Sequence, residues 1–187
     1  MAREVFLKKL VKDCSKGRSD ARRELYELYA SRFMGLCYRY AKSVDDAEDI
    51  FQDGFIKVFE NLHTLKNPDA LEAWMKRIFV NEALKFIGRN NTFMMVDYSY
   101  AEMRPIEDFG VIDKLAIEDM TAIIRRLPDK MRIAFNMYAI EGYSHAEIAE
   151  SLNISVGTSK SNLHDARVYI QKEIAKLNII KCATAHE

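Results

Sequence analysis

The stretch Tyr143–Arg167, YSHAEIAESLNISVGTSKSNLHDAR, decides how the chain is read. It has the pattern of two short helices around a tight turn. Ser144 is placed to cap a first helix that turns Ile148, Ala149 and Leu152 inward. Asn153 falls where that helix must stop, in a left-handed or turn conformation. Ile154 and Val156 are expected to refill the core after the turn, and Ser155 to cap a second helix. That helix opens with Gly157, Thr158, Ser159, Lys160 and Ser161, which are small or polar and include no acid. Such a helix can approach a DNA backbone closely, and its N-terminal amides favour phosphate. The segment 144–163 therefore has two readings, a helix-turn-helix that reads DNA or a helical hairpin that only packs.

Outward from this segment the pattern stays helical. Val168, Ile170, Ile174 and Leu177 prolong the second helix. Upstream, helical periodicity begins at Ile112 or Asp113, breaks at Leu127-Pro128, restarts at Asp129 and stops at Glu141-Gly142. Before it, the stretch from Asn90 to about Gly110 has Pro105 and no sustained period. Its single base, Arg104, stands against Asp97, Glu102, Glu107 and Asp108, so it reads as an acidic linker. The N-terminal part predicts four helices. The first carries Val5, Phe6, Lys9 and Leu10. The second, capped by Ser19 or Asp20, carries Leu25, Tyr26, Leu28, Tyr29, Phe33, Leu36, Cys37 and Tyr40. The third carries Ala47, Ile50, Phe51, Phe55, Val58, Phe59 and Leu62. The fourth opens at Asp69 or Ala70, buries Leu71, Trp74, Met75, Ile78, Phe79 and Ile87, and ends near Gly88. The expected fold is all-α. Two small helical domains, 1–90 and 113–187, are joined by the linker 91–112, and the first has an aromatic core.

Composition narrows the function. The 187 residues are 49% apolar and 30% charged, with 7 Gly, 3 Pro and no net charge. A histone-like basic binder is excluded, and a nucleic-acid protein with this balance concentrates its bases locally or borrows affinity from a partner. Cys14, Cys37 and Cys182 lack any CxxC pairing, which predicts reduced thiols in a cytoplasmic protein, with Cys37 in the core. No metal or cofactor is expected. His63, His145, His164 and His186 lie in unrelated contexts, and no nucleophile elbow, Walker loop, GxGxxG or HExxH is present, so an enzyme is not expected. No window approaches the roughly 18 apolar residues of a membrane span.

Two further groups stand out. Asp45, Asp46, Glu48, Asp49, Gln52 and Asp53 crowd the start of the third helix, with Glu48/Gln52 and Asp49/Asp53 at i,i+4. Either this is a solvated acidic face that complements the helix N-terminus, or it is a face for a basic protein groove. On the fourth helix, Lys76, Arg77, Asn81, Lys85 and Arg89 form a polar stripe suited to a phosphate backbone, with Asn81 able to bond a base or a phosphate. The loop Thr64-Leu65-Lys66-Asn67-Pro68 before it is placed to receive an unstacked base. Trp74, at helical spacing with Leu71 and Ile78, fits the core better than a stacking platform.

Together these motifs resemble a known family. Leu127-Pro128, Glu141-Gly142, Glu147-Ile148-Ala149, Val156-Gly157-Thr158, Lys160-Ser161 and Ala166-Arg167 are similar to the C-terminal DNA-binding domain of bacterial sigma factors. Asp46-Ala47-Glu48-Asp49-Ile50 with Gln52-Asp53 and Phe55 resembles the polymerase-binding helix of their second region. Trp74, Arg77-Ile78 and Asn81 resemble the promoter-melting helix. The likeness spans nearly the whole chain in the right order and points to an extracytoplasmic-function sigma factor, which keeps only regions two and four.

The resemblance implies a transcription initiation factor that binds core RNA polymerase and promoter DNA, commonly restrained by an anti-sigma factor, without membrane insertion. Asp46, Glu48, Asp49, Gln52 and Asp53 would meet the clamp helices of the large catalytic subunit, and the C-terminal domain the flap. Lys66, Asn67, Lys76, Arg77, Asn81, Lys85 and Arg89 would hold the minus-ten element. Ser155, Thr158, Ser159, Lys160, Asn162, His164 and Arg167 would meet the minus-thirty-five element. The linker would thread the polymerase channels, or act as a plain tether. Many members carry arginine at the position of Asn162 and a base at that of Asp165. This departure implies weak free-standing affinity or a changed base preference, with Asp165 pairing with Arg167 or Lys172 or facing away. The alternatives are a two-domain helix-turn-helix regulator with a helical effector or dimerisation domain, and an interaction protein that keeps the fold without reading DNA.

Overall fold

A computed structural model describes the backbone of residues 2–90 and 114–184, with side chains over 4–88 and 119–177. The expected linker, the side chain of Arg89, Cys182 and His186 lie outside the described residues. The rest forms helices, with no strand among the described residues, in two compact units. The first holds α1 (Ala2–Ser15), α2 (Ser19–Tyr40), α3 (Val44–Asn61) and α4 (Leu71–Asn90). The second holds α5 (Lys114–Arg126), α6 (Asp129–Phe135), α7 (His145–Leu152) and α8 (Val156–Thr184).

The first unit is packed by rings. Phe33 of α2 stacks on Phe79 of α4, with centroids 4.4 Å apart and planes 8° apart. Phe55 of α3 meets the same Phe79 edge-on at 5.3 Å. Each such pair adds roughly 0.5–1.5 kcal/mol beyond its area burial. Phe79 comes this close because Gly54 on α3 has no side chain, and a Cβ there would overlap the ring. Trp74, 7% exposed, is a core residue. Cys37 is fully buried, and burial pushes its thiol up to about 12. Three expectations need correction. α1 buries Leu7, Leu10, Val11 and Cys14, while Val5 and Phe6 are exposed. Neither Ser19 nor Asp20 caps α2, whose N-cap position is Arg18 without a side-chain bond. α4 runs past Gly88 to Asn90.

The second unit has a smaller, aliphatic core. Ile123, Ile124 and Leu127 pack on Ala166 and Ile170 of α8. At the Leu127-Pro128 break the side chain of Arg132, 1% exposed, turns back into the protein. It donates to the Leu127 carbonyl at 3.2 Å and pairs with Asp129 at 2.7 Å. A buried guanidinium is tolerable only with such partners. After α6 the chain widens into a π turn over Asn136–Ile140, which periodicity alone does not predict. Gly142 then takes φ +79°, a left-handed turn open to glycine at no steric cost.

Candidate protein and nucleic-acid interfaces

The acidic face is built by the start of α3. The Ser43 amide donates to Asp46 Oδ2 at 3.2 Å, and the Asp46 amide donates to Ser43 Oγ at 3.0 Å, a closed capping box. Asp46 is thus half-buried and committed to holding its own helix. Glu48, Asp49 and Gln52 are exposed, and Asp53 is half-buried. Ala47, Ile50, Phe51, Phe55 and Val58 point the other way into the core, so the acids share one outward face. Ile56, 52% exposed, puts an apolar side chain among these acids, and Val44, the first residue of α3, is 47% exposed. Sequence reading passed over both, because an apolar residue in a helix is first read as core.

The second surface joins the loop before α4 to α4 itself. The loop is self-bonded. Thr64 Oγ1 donates to the Asn61 carbonyl at 2.8 Å, and Asn67 Oδ1 accepts from the Asp69 amide at 3.0 Å. Asn67 therefore spends its carbonyl oxygen as a cap. Lys66 beside it is exposed. On α4, Lys76, Arg77, Asn81 and Lys85 are all half-buried, and at ~100° per residue Arg77, Asn81 and Lys85 share a flank while Lys76 lies on the side opposite Lys85. Lys85 bonds the largely buried Glu82 at 3.1 Å, so the stripe carries an acid that lowers its net positive charge.

The third surface is the segment that opened the reading, and its local geometry matches the residues closely. Ser144 and Glu147 close a capping box on α7, the Ser144 amide donating at 2.8 Å and its Oγ accepting at 3.2 Å. Asn153 stops α7 at φ 51° and ψ 49°, in the left-handed region. Ser155 Oγ accepts from the Thr158 amide at 2.9 Å and so caps α8. Lys160, Ser161, His164, Asp165 and Arg167 are exposed, and Asn162 is half-buried.

Two residues here depart from expectation. Ser159 is fully buried, with Oγ 3.0 Å from His145 Nδ1, so it joins α8 to α7 and has no exposed atom for DNA. The cause is register: Ser159, Leu163, Ala166 and Ile170 form one inward stripe. Val156 does not refill the core and is 42% exposed. Asp165 has no ion pair among the described residues. It cannot share a flank with Arg167, since two residues at ~100° each put them about 160° apart around the helix. Arg167 instead lies over Tyr138, a residue the sequence reading did not single out, with Cζ 5.9 Å from the ring centroid.

No group of three or more His, Cys, Asp or Glu able to hold a metal ion occurs among the described residues. No described helix is long and apolar enough to cross a membrane.

Two helical units among the described residues, one with an acidic face and one with a helix-turn-helix, define the class of two-domain transcription proteins. Comparison with known proteins narrows this. Residues 25–92 match the model of sigma-70 region 2, and residues 117–170 that of sigma-70 region 4. The ECF RNA polymerase sigma factor SigW of Bacillus subtilis is 29% identical over 186 residues, covering 93% of this chain and 100% of the relative. The factor SigE of Mycolicibacterium smegmatis is 32% identical over 161 residues, 82% of this chain and 61% of the relative. The sigma-E factor of Escherichia coli K12 is 28% identical over 191 residues, 95% of this chain and 98% of the relative. Two solved structures share the fold at TM-score 0.51. One is CnrH with the cytosolic domain of CnrY, at 19% identity and covering 89% of this chain and 96% of that one. The other is RpoE with the anti-sigma factor NepR from Bartonella quintana, at 21% identity and covering 82% and 96%. The chain belongs to the extracytoplasmic-function sigma factors of RNA polymerase.

Proposed function

We propose that the chain is a dissociable transcription initiation factor that binds core RNA polymerase and directs it to specific promoters. The observation that carries this is the occurrence, in order, of a region 2 match and a region 4 match on two helical units of one chain. Residues 1–90 take the polymerase and minus-ten roles, and 113–187 the minus-thirty-five role. Glu48, Asp49, Gln52 and Asp53 meet a basic groove on the polymerase clamp, and Asp46 supports them by holding the start of α3. Lys66, Asn67, Lys76, Arg77, Asn81, Lys85 and Arg89 hold the opened strand of the minus-ten element. Pockets for unstacked bases offset the stacking energy lost on opening the duplex.

On α8, Lys160 and Arg167 hold phosphates, while Asn162 and His164 face base edges. Ser155 and Thr158 act at the helix start, their hydroxyls 2.9 Å apart. With Asp165 on the outward face, this helix selects a site while polymerase supplies much of the affinity. The RpoE neighbour is seen with an anti-sigma factor, and a partner of that kind, in the cytoplasm, is part of this reading. Sigma factors are non-catalytic, and the chain's own part is binding and positioning.

The test is reconstitution with core polymerase on a promoter found by mapping transcription starts after overexpression. Promoter-specific run-off is expected, and Asp49→Lys with Asp53→Lys should weaken core binding at least ~10-fold, as like charges meet the groove. A chain that fires no promoter, or binds duplex specifically as a free dimer, refutes the reading.

A further inference from the structure

The buried Ser159 and the unassigned Tyr138 belong to one arrangement. The π turn at Asn136–Ile140 carries Tyr138 and leaves that residue 37% exposed. His145, the first residue of α7, stacks on that ring with centroids 4.4 Å apart and planes 20° apart. The other side of His145 is fixed as well, because Nδ1 lies 3.0 Å from Ser159 Oγ, inside the core at the start of α8. Arg167, further along α8, sets its guanidinium 5.9 Å from the centroid of the Tyr138 ring. A continuous chain of contacts thus runs from Ser159 through His145 and Tyr138 to Arg167. It leaves α8 at its buried side and returns to it at an exposed base.

Arginine loses rotamer freedom when it grips a phosphate, and a planar guanidinium held against a ring has lost part of it beforehand. We propose that Tyr138, braced by His145 and Ser159, is a positioning residue that holds Arg167 ready for a DNA phosphate. The proposal rests on the reading of α8 as the promoter-facing helix. Nothing in it requires Tyr138 to touch DNA. It is the ring that acts, so the hydroxyl is dispensable.

The experiment is a double-mutant cycle read in promoter binding by the reconstituted holoenzyme, over a series of salt concentrations. Arg167→Ala should lower the slope of log affinity against log salt by about one, the signature of one lost phosphate contact. Tyr138→Leu should weaken binding about three- to tenfold when Arg167 is present and have no further effect in Arg167→Ala, as expected of coupled neighbours. Tyr138→Phe keeps the ring and should restore binding. Thermal melting of each variant is measured alongside.

Equal losses from Tyr138→Leu in both backgrounds would mean a structural role and overturn the proposal. An unchanged salt slope in Arg167→Ala would overturn it too, as would a Tyr138→Phe as weak as Tyr138→Leu. If the unmodified holoenzyme selects no promoter, the underlying reading of function fails, and that result is distinct from any of these.

Discussion

The two units are both helical, yet they are held by different physics. In the first, Phe33, Phe51, Phe55 and Phe79 stack and tilt against one another across α2, α3 and α4. That core is largely aromatic and closely fitted. In the second, the aliphatic core is small and the chain is pinned by polar local devices. These are the Arg132 clamp at the Leu127-Pro128 break, the Ser144–Glu147 box and the left-handed Asn153. On the proposed reading, a dense ring core suits a body that presents a binding face to a large partner. Caps and turns suit a reading head, because they fix the angle between α7 and α8 without demanding much volume.

This contrast can be broken most forcefully at Arg132. Removing one partner of a buried pair costs roughly 3–5 kcal/mol. Arg132→Ala is therefore expected to strip hydrogen-exchange protection from α6, α7 and α8 while α2–α4 keep theirs. Equal losses in both units would erase the distinction drawn between them. The matching stroke in the first unit is Gly54→Ala. A methyl that overlaps the Phe79 ring forces repacking, at about 1–3 kcal/mol or more. The melting temperature should fall, and Phe79→Leu in the same chain should recover part of it. If Gly54→Ala melts unchanged, the ring fit is loose.

Burial of Cys37 in the first core also has a pH signature. Cys37 rises from 9.0 to about 12 on burial, so its folded form holds a proton that the unfolded chain releases. A group with a raised folded value contributes fully below pH about 9 and loses its contribution as pH rises towards about 12. Denaturant titrations should show stability falling up to ~1.4 kcal/mol per pH unit more steeply in that window than in Cys37→Ala. Parallel curves would mean that water reaches the thiol. The smallest effect is the cap: Ser144→Ala should cost about 1 kcal/mol and speed exchange of the first amides of α7. No change there would remove the capping box from the account of the reading head.

Much of this was legible in the residues because the signals are local. Ser144, Asn153 and Ser155 act within three or four positions of themselves, so their roles could be read before any fold was known. The acids of α3 were legible as a face for the same reason, since i,i+4 spacing fixes neighbours on a helix. Asp46 was read as part of that face, and the structure shows that it also closes the cap of α3, a second role that the acid's position alone does not separate from the first. Ser159 and Tyr138 were misread or missed because their partners lie 14 and 7 positions away at His145. No periodicity reports a bond of that span.

The sequence by itself determined the helical class, the stops of α7 and the opening of α8, the two-part organisation and the family, since these depend on apolar period, capping chemistry and ordered motifs. The tertiary structure alone decided which side of each helix faces out. A helix repeats every ~3.6 residues on all its faces alike, and only a packed neighbour says which is inside. That decision buried Ser159, left Val156 in solvent, and pressed Phe79 onto Gly54.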